Sequence, residues 1–159
     1  MNQTYLLIGG NLGNREENLR RAADSIATKV GAVVQASSIY ETEAWGIQDQ
    51  PAFLNQVLAV KTNLDPGQVL QAILAIEEEM GRKRKEKFGP RTIDIDILFF
   101  GNLVAKQTDL TIPHPQLHLR RFTLEPLNEI APGLVHPVLQ KTISQLLEES
   151  NDPLVVKKF

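Results

Sequence analysis

The stretch GRKRKEKFGPRTIDIDILFFG, from Gly81 to Gly101, sets a basic segment against an acidic one. Residues 82–91 hold six cations and one acid, Glu86. Gly89-Pro90 cannot continue a helix, so this part reads as a loop. Asp94 and Asp96 then alternate with Ile93, Ile95 and Ile97. Alternation with period two marks a strand, acids on one face and isoleucines toward a core. The two carboxylates lie roughly 6.5 Å apart at Cα from the strand rise. They repel by roughly 2.5 kcal/mol at an effective dielectric of 20, so something cationic is expected to hold them.

Upstream, YLLIGG reads as a short buried strand stopped by glycines. Asn14 is placed to cap a helix, with Glu17 at N3 in a capping-box pattern. Leu19, Ala22, Ala23, Ile26 and Val30 follow at helical spacing, and Gly31 is placed to end the helix. The β-branched run 32–40, AVVQASSIY, and the run 53–62, FLNQVLAVKT, read as strands on either side of a polar loop. Asp65-Pro66 opens a second helix with the stripe Val69, Ile73, Ile76 and Met80, ended by Gly81. Downstream of IDIDILFF, Gly101-Asn102 reads as a two-residue hairpin turn, after which LVA returns. Thr142 and Gln145 cap a last helix. The order β-α-β-β-α-β plus a C-terminal extension predicts an α+β, ferredoxin-like fold, an antiparallel sheet with helices on one face.

The chain has 159 residues, which fits a single domain over 1–159 with a sizeable core. Its net charge is −2, so the basic run is a local feature and the whole is not a polyanion binder by composition. There is no cysteine, which excludes a disulfide framework and thiol catalysis. With three histidines besides, a zinc site is not expected. The N-terminal segment reads as neither signal peptide nor membrane span, and a cytoplasmic location is expected. GGNLGN fits neither the dinucleotide nor the Walker pattern and is read as a strand-to-helix turn.

Oxygen ligands in pairs suit Mg²⁺, which completes its shell with water and phosphate, and a neighbouring cationic loop suits the phosphates of a nucleotide. Each feature also has a plainer reading. The acids could pair with Arg91 or Lys87 on a solvated strand. The loop could be a linker or a nucleic-acid patch.

KFGPRTIDIDIL (87–98) resembles the signature of the 6-hydroxymethyl-7,8-dihydropterin pyrophosphokinase family of folate biosynthesis. LIGGNLGN, GIQDQPAFLN, IPHP and LRRF resemble further family segments, in order along nearly the whole chain. The resemblance implies transfer of pyrophosphate from ATP to the hydroxymethyl group of a reduced pterin, with AMP released. It implies that Asp94 and Asp96 bind two Mg²⁺ ions and that one of them handles the pterin hydroxyl. Arg82 and Arg91 would reach the phosphates catalytically. Glu77, Arg84, Lys85, Ile97, Thr111, His114 and Arg120 would lie at the ATP. Thr42, Trp45, Phe53, Asn55, Phe88 and Phe122 would lie at the pterin. Without the resemblance, Phe53 and Phe122 read as core and Glu77 as an exposed helix acid; His118 and His136 read as structural in either case.

Some positions depart from common family patterns. Phe53 lacks a hydroxyl often present, Phe88 stands where tryptophan is frequent, Trp45 replaces a smaller residue, and Asp109 stands where some members have arginine. The expected partners are small molecules only, with no nucleic acid and no membrane, and a monomer is expected. The rival reading is an RRM-like nucleic-acid module using the basic loop, disfavoured by acids on the face that would meet RNA phosphate.

Overall fold

A computed structural model describes residues 1–43, 50–81 and 92–159. Its core runs β1 (Asn2–Gly10), α1 (Arg15–Lys29), β2 (Ala32–Ala36), β3 (Tyr40–Thr42), β4 (Phe53–Thr62), α2 (Pro66–Glu79) and β5 (Asp94–Phe100). A small hairpin follows, β6 (Ala105–Lys106) with β7 (Thr111–Ile112). Then come a 3-10 turn at Leu117–Leu119, α3 (Arg121–Ile130), α4 (Ile143–Glu148) and β8 (Val156–Lys158). The main sheet has the order β5-β1-β4-β3-β8, with β2 also on β4, and every pairing in it is antiparallel.

The helix starts follow the local chemistry. Asn14 Oδ1 accepts from Glu17 N–H at 3.1 Å, while the Glu17 carboxylate turns to Arg20 instead of closing the box. Asp65 with Gln68 and Thr142 with Gln145 form complete capping boxes. Gly81 ends α2 at φ +79°, a conformation that costs glycine nothing.

Two expectations are corrected and a third is refined. The expected strand 32–40 is two strands on the same partner. Between them Ser37 Oγ accepts from Val57 N–H at 2.9 Å, where a regular strand would offer a carbonyl, and the register shifts. β1 ends at the glycines as expected, but both are paired within its ladder and do not lie beyond it. A Cβ at Gly9 would overlap Asn55 Oδ1 on the neighbouring strand, so the glycine permits a close approach. The turn at Gly101-Asn102 exists, but the returning segment pairs through Ala105–Lys106 with β7, not with β5.

The sheet is buried on both faces. Leu6, Ile8, Leu54, Leu58, Ile95 and Ile97 pack beneath α1 and α2. Leu7, Val57, Leu98 and Phe99 pack on the other face beneath Leu124 and Leu127 of α3 and Ile143 and Leu146 of α4. A bulge at Leu98 turns both Leu98 and Phe99 toward this second core. Helix α3 is not legible in the sequence because Pro126 interrupts its pattern.

Candidate active site

Register places the acids. Asp94 and Asn55 both lie opposite Gly9, and Tyr40 lies opposite Asn55, so four residues form one row across the sheet. Directly opposed residues share a face. Asp96 lies opposite Leu7, which belongs to the second core, so Asp94, Asp96 and Asn55 face the α3 side. Phe53, two before Asn55, and Thr42, its cross-strand partner, are on that face too. Phe122, in the first turn of α3, packs against the same core. The family-implied metal and pterin residues on described strands therefore converge at one end of one face.

Asp94 and Asp96 are half-buried, while Asn55 and Thr42 are buried. Thr42 Oγ1 is buried without a hydrogen-bond partner. A buried hydroxyl left this way costs stability unless a ligand supplies the partner. Among the described residues, no three His, Asp or Glu side chains form a ready metal cage. Two carboxylates alone give a partial oxygen shell, which suits Mg²⁺ with water and phosphate completing it.

β5 is an edge strand, and its outer side is managed from α2. Glu77 is only 2% exposed, and its Oε2 accepts from Ile95 N–H at 2.8 Å, between the two acids in sequence. The exposed helix acid of the plain reading is thus buried. Beside this edge opens a cleft of about 480 Å³. Asp96, Ile97, Thr111 and His114 line it, as do Leu70, Gln71 and Leu74 of α2. The α2 residues were not singled out in the sequence. The signal for them is a second apolar pair, Leu70 and Leu74, one position off the core stripe. Asp109 also lines the cleft.

His114 N–H donates to Leu98 C=O at 3.0 Å, which pins it beside β5. Its Nδ1 accepts from Gln116 N–H at 3.1 Å, so the neutral ring carries its proton on Nε2. Burial, reinforced by the Arg120 guanidinium and opposed by Asp94, pushes its pKa down to about 4. The ring is therefore a neutral donor at pH 7. The Arg120 guanidinium bonds Gln116 and stands over the Phe122 ring at 5.6 Å, linking the segment beside His114 to the first turn of α3. Asn11, buried, donates to Gln50 Oε1 at 2.8 Å and Pro51 C=O at 2.9 Å and so fastens the entry to β4.

Trp45, Arg82, Arg84, Lys85, Phe88 and Arg91 lie outside the described residues. The RRM-like alternative finds no support, because the sheet face it would use is covered by α3 and α4. Among the described residues no helix is long and apolar enough to cross a membrane.

The model of the family 7,8-dihydro-6-hydroxymethylpterin-pyrophosphokinase (HPPK) matches residues 5–132. A Synechocystis protein named 2-amino-4-hydroxy-6-hydroxymethyldihydropteridine pyrophosphokinase is 45% identical over 89% of this chain and 73% of its own length. An Aquifex aeolicus protein of the same name is 39% identical over 94% and 93%. The HPPK-DHPS structure from Plasmodium falciparum superposes with a TM-score of 0.76 at 22% identity. That match covers 94% of this chain but 43% of the larger one, and it speaks for the fold alone. With its sheet register, its paired acids and these matches taken together, the chain belongs to the HPPK family.

Proposed function

We propose that this protein transfers pyrophosphate from ATP to the hydroxymethyl group of 6-hydroxymethyl-7,8-dihydropterin, releasing AMP, as a step of folate biosynthesis. The observation that carries the reading is one shared sheet face. On it two carboxylates stand between a 480 Å³ cleft and a wall of aromatic and amide side chains. The sheet order and the βαββαβ succession of the core, counting β2 and β3 as one broken strand, support a ferredoxin-like topology. We read residues 1–159 as one domain, acting as a cytoplasmic monomer on small molecules only.

ATP would occupy the cleft, its base and ribose against Leu70, Ile97 and Thr111. His114 Nε2–H and Arg120 would donate toward its phosphates. The pterin would stack between Phe53 and Phe122, with Asn55 and the unpartnered Thr42 hydroxyl meeting its polar edge. Asp94 and Asp96 would hold the two Mg²⁺ ions, which when bound neutralise triphosphate charge. In the step itself the pterin hydroxyl oxygen bonds to the β-phosphorus, and the bond from that phosphorus to the α-β bridging oxygen breaks. AMP leaves, and the hydroxyl proton passes to an aspartate carboxylate.

The test is AMP release by the pure protein. Release should require ATP, pterin and Mg²⁺ together, and stop when the metal is chelated. Asp94→Asn and Asp96→Asn should each lower kcat by about 100-fold or more with the melting temperature held. AMP release without pterin, or near-wild-type turnover in both variants, would overturn the reading.

A further inference from the structure

The outermost strand of the sheet lies beyond the segment the family model matches, which ends at residue 132. β8 pairs with β3 through Val156–Thr42, Lys157–Glu41 and Lys158–Tyr40. β3 is only three residues long, and on its other side Thr42 faces Phe53 and Tyr40 faces Asn55. A strand this short has little hold of its own. The next residue, Phe159, donates its N–H to Ile39 C=O at 2.8 Å. Its ring lies 5.6 Å from the guanidinium of Arg15, the first residue of α1. Arg15 Nη1 reaches Glu41 Oε2 on β3 at 2.8 Å and Ala52 C=O, just before β4, at 2.9 Å. One guanidinium thus ties together α1, β3, the approach to β4 and the aromatic ring that follows β8. An arginine whose fork is shared among carboxylate, carbonyl and aromatic face fixes all three relative to one another.

We propose that Arg15 and Phe159 form a buckle that positions the pterin-side wall, Thr42 and Phe53, from the outside of the sheet. Neither residue touches the substrate. They act by holding β3 against β4, so that the Thr42 hydroxyl and the Phe53 ring keep their spacing. The inference rests on the pterin assignment of that wall, and it makes the segment 154–159 part of substrate recognition.

The experiment compares the wild type with Phe159→Ala, Arg15→Gln and the conservative Phe159→Tyr. Steady-state AMP release gives KM for pterin, KM for ATP and kcat, and hydrogen exchange reports on residues 40–42 without any ligand. Phe159→Ala and Arg15→Gln should raise the pterin KM about three- to ten-fold, the effect of losing one cation–π or ion-pair contact. The ATP KM should stay within about twofold, exchange at 40–42 should quicken, and Phe159→Tyr should restore wild-type behaviour. Faster exchange with an unchanged pterin KM would overturn the inference while leaving the site assignment standing. An equal rise in both KM values with a lower melting temperature would also overturn it, as a general brace. A wild type that binds nucleotide but not pterin would overturn the assignment of the wall, and the buckle's role with it.

Discussion

At the scale of the residue, His114 shows how position sets chemistry. Its backbone is pinned to β5, its Nδ1 is occupied by Gln116 N–H, and burial with Arg120 nearby holds the ring neutral. The consequence for stability has a definite sign. The folded pKa of about 4 lies below the ordinary 6.5, so between these values the unfolded chain binds a proton that the folded one refuses. His114 therefore favours folding fully only above about pH 6.5, and this contribution falls away as the pH drops toward 4. Between pH 7 and pH 5 the wild type should lose roughly 2 kcal/mol more unfolding free energy than His114→Asn, read from urea titrations at both values. Equal losses in the two proteins would show that the ring titrates normally. Gly9 is the other decisive residue. Its missing side chain admits Asn55 over β1, in the cross-sheet row that ends at Asp94, and the doublet Gly9-Gly10 does not reveal this in the sequence, where it reads as a strand stop.

At the scale of the element, β5 carries Asp94 and Asp96 and is also an edge, with backbone groups that need partners. Glu77 meets this need at Ile95 N–H from the last turns of α2. The helix therefore fixes the strand segment on which Asp94 and Asp96 stand. Glu77→Ala leaves that amide without its acceptor and should destabilise by about 1–3 kcal/mol. Glu77→Gln keeps a carbonyl oxygen in place and should cost less, with kcat following the same order. A Gln variant as unstable as the Ala variant would mean that charge, not the hydrogen bond, matters there. Helices α1, α2 and α4 were legible because caps and apolar spacing are local signals. The break at Ser37 and helix α3 were not. A serine inside a β-branched run looks like any strand residue until its hydroxyl finds Val57 N–H, and Pro126 argues against a helix that tertiary packing nonetheless supports.

At the scale of the whole molecule, one sheet separates two cores, and the face that carries Asp94 and Asp96 lies over the second. Leu127 is fully buried there between α3 and the sheet. Leu127→Ala should cost about 2–5 kcal/mol by lost burial and an unfilled cavity. The two cores share every central strand, so denaturant should unfold them in one transition, with the midpoint lowered and the slope unchanged. Two separate transitions would show that the C-terminal extension is an independent unit.

The paired acids, the basic segment, the starts of α1, α2 and α4 and the antiparallel α+β order were all readable in the chain itself. Each depends on neighbours within a few residues: period-two alternation, a cap three residues from its partner, a proline after its aspartate. The tertiary structure decided what stands next to what. It set Asn55 over Gly9, turned Glu77 inward, opened the cleft beside the β5 edge, covered the second face with α3 and α4, and laid Phe159 on Arg15. Those contacts join residues 18 to 144 positions apart, and only sheet register and the packing of whole helices bring them together.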